Sequence, residues 1–234
     1  MFDRKIFFLT AIVCALAFLA CGFGGGDDDD DDDIEVFTIS FPIYDGVRWT
    51  YDCLETGPDT SYVLTKVMEG SRTFSADTIG YVEPPAPHPS LQWARQLDRD
   101  SSFFYDDGNH VWMGQVDATI AGFGANPFVP LRVIPRRYAV GDTFTTLVNK
   151  RIGPLSADIT MFITVLEHET VTVPAGTFED CLKLSAVLAV SFGNDTTLST
   201  FWCADGVGLV QRHDYYESGS DHTYLEKLVS YDID

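Results

Sequence analysis

The alternation of apolar and polar residues is the feature that most restricts the fold of this chain. Val47, Trp49, Tyr51 and Cys53 alternate with polar residues, so they share one face of an extended segment. A period of two is typical of a β-strand that is buried on one face. Similar short runs, separated by turn residues, recur as far as Tyr231. The sequence therefore predicts a mainly β fold.

Two of the turns predict hairpins. Residues 106–110 read Asp-Asp-Gly-Asn-His and residues 193–195 read Gly-Asn-Asp, and each segment lies between apolar runs. Helix is predicted only as a short segment from Ser90 to Leu97, and Gly122 to Pro130 is predicted as a loop. Many strands joined by short turns favour an antiparallel architecture. We expect a curled antiparallel sheet or half-barrel with little helix.

One short pattern occurs twice. Residues 41–51 and residues 137–145 each have an apolar lead, a glycine turn and an aromatic residue three positions after the glycine. The repetition is typical of a duplicated half-domain, and two similar β-turns explain it equally well.

The first residues have the organisation of an export signal. Arg4 and Lys5 precede an apolar run from Ile6 to Ala20, which is shorter than the about 20 residues of a membrane span. We predict a signal peptide over residues 1–20 and lipidation at Cys21, which would place the protein in the cell envelope as an outer-membrane lipoprotein. An ordinary signal peptide with an incidental cysteine, or an uncleaved anchor, is the alternative.

Residues 21–33 are predicted to tether the domain. Gly22 to Gly26 is glycine-rich, and Asp27 to Asp33 is a run of seven aspartates that repel one another and stay solvated. The run is interpreted as a spacer from the membrane, with a sorting signal for the cell surface and a calcium-binding tail as alternatives. Residues 34–234 are predicted to form a single β domain.

The charge of the chain excludes one class of partner. The net charge is −20, and the chain stays strongly acidic when the seven aspartates are set aside. Such a surface repels nucleic acid and anionic lipid head groups. We expect no nucleic-acid partner, and contact with a membrane only through the lipid anchor.

Three cysteines remain after the leader and Cys21 are set aside. An exported protein meets an oxidising compartment, so a disulfide is allowed. Cys181 and Cys203 flank a predicted hairpin and are the preferred pair, whereas Cys53 has no assigned role. Buried thiols that act as small apolar side chains are the alternative.

Two further motifs carry a resemblance to a known family. Residues 173–178 read Val-Pro-Ala-Gly-Thr-Phe and residues 206–210 read Gly-Val-Gly-Leu-Val. With residues 46–51, these motifs resemble the TapB-like family of exported bacterial proteins, most of which are uncharacterised lipoproteins. The resemblance implies a curled antiparallel sheet of the periplasmic lipoprotein-carrier type. It implies no catalytic residues.

Few residues have the spacing of a catalytic or metal site. Glu167, His168 and Glu169 are consecutive, but neighbours on a strand point to opposite faces. His213 and Asp214 lack a nucleophile motif such as Gly-x-Ser-x-Gly and are interpreted as surface polar residues. We predict no catalytic residue, no metal and no cofactor, although a carboxylate pair of the hydrolase type stays open.

The aromatic residues give the remaining functional hypothesis. Trp49, Trp112 and Trp202 would line an apolar cavity if the sheet curls, although such residues more often form a solid core. We expect a non-enzymatic envelope lipoprotein that binds a hydrophobic ligand or a partner protein through its sheet. A hydrolase acting on envelope polymers and a purely structural or assembly role at the cell surface are the alternatives.

Overall fold

Fifteen β-strands and no helix make up the part of the chain that the computed structural model describes. That part comprises residues 34–57, 59–74, 81–83, 92–97, 102–116, 128–152, 155–191, 195–216 and 222–233. The predicted signal peptide, Cys21 and the aspartate run lie outside it. The strands are β1 Phe37–Thr38, β2 Arg48–Thr56, β3 Thr60–Thr73, β4 Tyr81–Glu83, β5 Gln92–Leu97, β6 Ser102–Asp106, β7 His110–Val116, β8 Phe128–Pro135, β9 Arg137–Tyr138, β10 Thr143–Ile152, β11 Leu155–Val173, β12 Gly176–Val190, β13 Asp195–Ala204, β14 Gly208–Tyr216 and β15 Thr223–Asp232.

The main sheet consists of two consecutive meanders. β2, β3, β5, β6, β7 and β8 pair in that order, and β10 to β15 pair in chain order. β15 joins the two meanders by pairing antiparallel with β2. β4 adds a strand at the free edge of β10, so the sheet has 13 strands in the described part. All these strands belong to one unit, Ile34–Asp234.

The two ends of this sheet approach each other. Arg132 of β8 donates from its backbone nitrogen to Thr146 Oγ1 of β10 at 3.3 Å, and its guanidinium donates to the carbonyl of Thr145. These side-chain bonds replace a regular ladder at the seam. The sheet is therefore nearly closed into a barrel, and the predicted curled antiparallel sheet with little helix is confirmed.

The repeated glycine turn has the same hydrogen bonds in both meanders. Gly46 N donates to Met68 O at 2.9 Å, and Met68 N donates to Val47 O at 2.8 Å. In the second meander, Gly141 N donates to Val165 O at 2.9 Å, and Val165 N donates to Asp142 O at 2.8 Å. Both glycines have positive φ, at 96° and 92°. The shared geometry and the matching strand order favour a duplicated half-domain over two unrelated turns.

Alternation along the strands separates an inner face from an outer face. Val47, Trp49, Tyr51 and Cys53 are all at most 2% exposed, as their spacing predicts. They share the barrel interior with apolar residues of β11 and β12. An aromatic side chain buries about 150–250 Å², so Trp49 and Tyr51 contribute strongly to the hydrophobic stabilisation of this face.

A second aromatic cluster lies on the opposite face of β5 and β6. Phe74 stacks on Phe128 with ring centroids 3.7 Å apart, and Trp93 and Phe103 pack edge-on around them. Phe103 and the cavity-facing Phe104 are neighbours on β6, so they point to opposite faces. Gly114 on β7 leaves the space that the Phe128 ring occupies.

The segment before β2 ties together two distant parts of the barrel. Ile39 N donates to Arg136 O between β8 and β9, and Ser40 N donates to Asp205 Oδ1 in the turn between β13 and β14. Phe41 follows and packs against Trp49 and Phe104. The segment therefore crosses one end of the barrel and places Phe41 at its interior.

Two local predictions are wrong. Residues 92–97 of the predicted helix Ser90–Leu97 form β5, which pairs with β3 and β6 and buries Trp93 completely. Residues 128–130 of the predicted loop Gly122–Pro130 begin β8, where Phe128 is fully buried. In both places, long-range strand pairing overrides the local helix-cap and turn signals. The other residues of both segments lie outside the described ranges.

Candidate functional site

A cavity of about 310 Å³ lies inside the barrel. Its volume is at the lower end of the about 300–1,000 Å³ of small-molecule sites. Twenty residues line it, and the inward positions of alternating strands supply most of them. They are Phe41, Trp49, Tyr51, Lys66, Gln96, Ser102, Phe104, Met113, Leu131, Val133, Ile134, Met161, Leu188, Thr197, Ser199, Phe201, Cys203, Leu209, Arg212 and Tyr216.

One side of the lining is wholly apolar, and the other side mixes polar side chains with aromatic and apolar ones such as Trp49, Phe104 and Phe201. We define the apolar wall as the lining residues of β7, β8, β11 and β12, every one of which is aliphatic or methionine. These residues are Met113, Leu131, Val133, Ile134, Met161 and Leu188. The strands of the other side of the sheet pair in the order β6, β5, β3, β2, β15, β14 and β13. We define the polar wall as the lining residues Lys66, Gln96, Ser102, Thr197, Ser199 and Arg212, all of which come from that side.

Lys66 of β3 and Glu226 of β15 form an ion pair inside the barrel. The side chain of Lys66 is 10% exposed and that of Glu226 is completely buried. The ammonium of Lys66 also lies 4.6 Å from the centroid of the Tyr51 ring, on the strand between the two partners. Burial raises the pKa of Tyr51 well above its usual value, and the charge of Glu226 adds to this effect. Tyr51 is therefore a neutral hydroxyl that donates to Leu209 O at 2.9 Å.

Arg212 and Asp214 of β14 form a second ion pair two residues apart on the same face. Arg212 Nε lies 2.8 Å from Asp214 Oδ1, and Arg212 Nη2 lies 2.6 Å from Asp214 Oδ2, so the contact is bidentate. Asp214 is completely buried, whereas the Arg212 side chain is 28% exposed and reaches the cavity. Burial lowers the pKa of Arg212, but the charge and hydrogen bond of Asp214 more than offset this, and the pKa lies above its usual value. Arg212 is a permanent cation.

The three predicted tryptophans occupy three different environments. Trp49 lines the cavity and donates from Nε1 to Val207 O at 2.7 Å. Trp112 is buried away from the cavity and donates to Asp107 Oδ2 at 2.7 Å. Trp202 is partly buried and donates to Glu169 Oε2 at 3.1 Å. Trp112 and Trp202 are not lining residues, because they stand on the outward phase of β7 and β13, where Met113 and Cys203 face inward.

Cys181 and Cys203 are buried and form no disulfide in the structure. The strand ladder places Leu182, not Cys181, opposite Cys203, so the predicted pair is one residue out of register. Cys181 Sγ instead lies 3.6 Å from the carbonyl of Phe178. Burial raises the pKa of Cys203 to about 12. Cys53 is also buried, with its Sγ 3.3 Å from Tyr224 Oη.

The charged groups of the interior were not predicted from the sequence. The interpretation of Asp214 as a surface polar residue is wrong, because Asp214 is completely buried and points to the face opposite His213. The sequence does contain a signal for these buried charges. Lys66 lies between Leu64 and Met68, and Glu226 lies between Tyr224 and Leu228, so alternation places both charged residues on the apolar face of their strands. A charge on the apolar phase of a strand marks a buried ion pair or a polar site.

The described part of the chain contains neither a cluster of metal-ligating side chains nor a membrane-spanning helix. Its His, Cys, Asp and Glu side chains form no group of three or more that could hold a metal ion. Glu167 and Glu169 both contact Lys183 Nζ at 2.8 Å. Within the same residues, no helix has the length and hydrophobicity of a membrane span.

The fold and cavity define a nearly closed antiparallel barrel with an amphipathic interior. The family model described as DUF3108-like matches residues 145–226, from β10 into β15. The chain is thus similar to that family over most of its second meander. No curated protein matches the chain. The TapB-like resemblance stays a prediction.

Three solved structures are similar to the chain. A provisionally described lipoprotein from Parabacteroides distasonis is 14% identical, with a TM-score of 0.48, over 83% of this chain and 99% of that chain. A provisionally described exported protein with a YmcC-like fold from Bacteroides fragilis is 16% identical, with a TM-score of 0.46, over 84% of this chain and 100% of that chain. The hypothetical lipoprotein YmcC from Escherichia coli is 9% identical, with a TM-score of 0.36, over 79% of this chain and 84% of that chain.

Proposed function

We propose that this protein is a non-enzymatic envelope lipoprotein that binds a hydrophobic molecule inside its barrel. The observation that carries the proposal is the cavity of about 310 Å³ with an apolar wall formed by residues of four strands. An apolar ligand in such a space is removed from water, and each buried methylene contributes about 0.8 kcal/mol. The leader and Cys21 support anchoring in the outer membrane, on its periplasmic side or at the cell surface.

The interior supports binding rather than hydrolysis. Asp214 and Glu226 are the completely buried acids of the described part, and each is paired with a cation. Neither lines the cavity, so neither is placed to protonate or attack a molecule held there. This arrangement differs from the two facing carboxylates of a glycosidase.

A pair of tryptophan variants tests the proposal. Residues 34–234 contain every described strand and form one unit, so this part can be purified without the lipid anchor. Met161 lines the cavity, whereas Phe162 is its outward neighbour on β11 and is 41% exposed. Met161→Trp should narrow the cavity and weaken binding of a neutral fluorescent naphthylamine probe, and Phe162→Trp should bind like the natural chain.

Mass spectrometry of the purified protein provides a second readout. We expect an apolar molecule to co-purify with the natural chain and with Phe162→Trp, and to be present in a smaller amount in Met161→Trp. If the natural chain carries no such molecule and does not bind the probe, ligand binding is excluded. A structural or assembly role would then be the remaining non-enzymatic function.

A further inference from the structure

We propose that the ligand of this cavity is a single-chain amphiphile with an oxyanion head group, a carboxylate or a phosphate monoester. Arg212 and Lys66 would bind the head group, and the chain would lie along the apolar wall. This inference rests on the proposed function and names the ligand class of the same cavity.

The apolar wall is the evidence that the ligand has an apolar hydrocarbon chain. Met113, Leu131, Met161 and Leu188 belong to four different strands, and the apolar wall that they share offers no hydrogen-bonding side chain. A ligand with polar groups all around its surface would leave several of them unpaired against this wall. A molecule with one apolar side or tail packs against this wall without leaving polar groups unpaired.

The polar wall carries the head-group part. The guanidinium of Arg212 has five N–H donors, of which Asp214 takes two, and the ammonium of Lys66 has three, of which Glu226 takes one. The hydroxyls of Ser199 and Thr197 add donors on β13, the strand that pairs with β14 of Arg212. Charged donors of this kind make short, strong hydrogen bonds to carboxylate and phosphate oxygens.

The position of the two acids determines the sign of the charge that the cavity presents. Asp214 and Glu226 are completely buried and do not line the cavity, whereas their cationic partners Arg212 and Lys66 do. The positive end of each ion pair therefore faces the ligand. One observation argues for a cationic head group instead. Glu226 Oε2 makes no hydrogen bond within the described part of the chain, so this oxygen could accept one from a ligand. Its complete burial keeps it from reaching such a group.

Four probes with the same chain separate these head groups. Decanoate, decyl phosphate, decanol and decylammonium are titrated into the delipidated protein of residues 34–234, and binding is measured by calorimetry. We expect at least one of the two anions to bind at least about tenfold more tightly than decanol, because hydrogen bonds to charged groups are stronger than those to neutral ones. Decylammonium should bind most weakly.

A double variant tests whether Arg212 is responsible. Arg212→Met combined with Asp214→Leu removes the ion pair as a unit and leaves no buried charge unpaired. The variant should lose about tenfold of the preference for the anion, and its affinity for decanol should stay within about threefold of the natural value. Lys183→Met is the control, because it removes a surface cation. It should leave every affinity unchanged.

The outcomes distinguish the two levels of the proposal. If decanol binds as tightly as both anions, or decylammonium binds best, the head-group assignment is overturned while the cavity function stands. An unchanged anion preference in the double variant also overturns it. If none of the four probes binds, the proposed function fails as well. A preference for decanoate over decyl phosphate, or the reverse, identifies which oxyanion the polar wall fits.

Discussion

Lys66 and Glu226 form an ion pair that spans the intervening strand β2 inside the barrel. Removing one partner of a buried pair leaves an uncompensated charge, which costs about 3–5 kcal/mol. We therefore expect Lys66→Met to lower the free energy of unfolding by about that amount, measured by chemical denaturation. Lys66→Met combined with Glu226→Leu should restore stability to near that of the natural chain, because both charges are gone.

Lys183→Met provides the matched control for that prediction. Lys183 contacts Glu167 and Glu169 at the barrel surface, where ion pairs contribute about 0–1 kcal/mol. Lys183→Met should therefore change the free energy of unfolding by less than about 1 kcal/mol. A double variant as unstable as Lys66→Met would show that the pair is not the source of the effect.

Gly114 and Phe128 are coupled by steric contact. A Cβ on Gly114 would lie 2.1 Å from two ring carbons of Phe128, and Phe74 stacks on the same ring. Gly114→Ala should therefore lower stability by about 1–3 kcal/mol through overpacking. In a double-mutant cycle, Phe128→Leu should recover part of this loss, because the shorter side chain vacates the contested space. Strict additivity of the two single effects would contradict the contact.

The sequence predicts strands better than it predicts their partners. The alternation of apolar and polar residues correctly identifies which residues of β2 face inward, because this alternation is a local property of the strand. Alternation alone does not show that β15 closes onto β2 or that β8 approaches β10, since those contacts join residues far apart in the chain. The helix predicted at Ser90 fails for the same reason: β5 is stabilised by β3 and β6.

The candidate site shows the same limit. Trp49 is predicted correctly as inward because it belongs to a clean alternating strand, whereas Trp112 and Trp202 belong to the opposite phase of theirs. Lys66 and Arg212 are visible as charges in the sequence, but only the pairing of β15 with β2 brings them to one cavity wall. The repeated glycine turn is the one long-range relationship that the sequence itself indicates, because both copies keep the local pattern.

His110 should make stability depend on pH. Burial lowers its pKa below the usual value of 6.5, and the positive charge of Arg132 adds to the effect, with Asp107 partly opposing it. The unfolded chain therefore binds a proton at higher pH than the folded chain, so stability is greatest above about pH 6.5 and falls as pH decreases from there toward the folded pKa. His110→Gln should flatten the dependence of the unfolding free energy on pH in this window.

His213 allows a second test of the same linkage. Burial also lowers the pKa of His213, although the charge of Asp214 opposes it. The two histidines lie on different strands, so His110→Gln combined with His213→Gln should flatten the profile further than either single variant. Superimposable profiles for the natural chain and the double variant would refute the assignment.

Cys181 and Cys203 should behave as protected thiols. Burial raises their pKa values to about 11 and about 12, so the reactive thiolate is scarce near neutral pH. We expect alkylation of the native protein to be slow at both positions. Alkylation in denaturant without reductant should label both peptides, as a sample treated with reductant does. Peptides that are labelled only after reduction would instead show that the pair is oxidised in the envelope.

The predicted anchor can be tested separately from the barrel. Several acyl chains on Cys21, each buried methylene contributing about 0.8 kcal/mol, would hold the protein on the membrane. Replacing residues 1–21 with an ordinary cleavable signal peptide should therefore move the protein from the membrane fraction to the soluble envelope fraction without altering the stability of residues 34–234. A variant with Asp27 to Asp33 replaced by asparagine should stay membrane-bound.

Protease treatment of intact cells then distinguishes the two main interpretations of the aspartate run. If the run is a solvated spacer, the asparagine variant and the natural chain should be digested to the same extent, because the leaflet is unchanged. Protection of the variant alone would mean that the charges direct the protein to the cell surface. Because the domain is strongly acidic without the run, solubility does not require it, and the comparison reports on spacing and sorting alone.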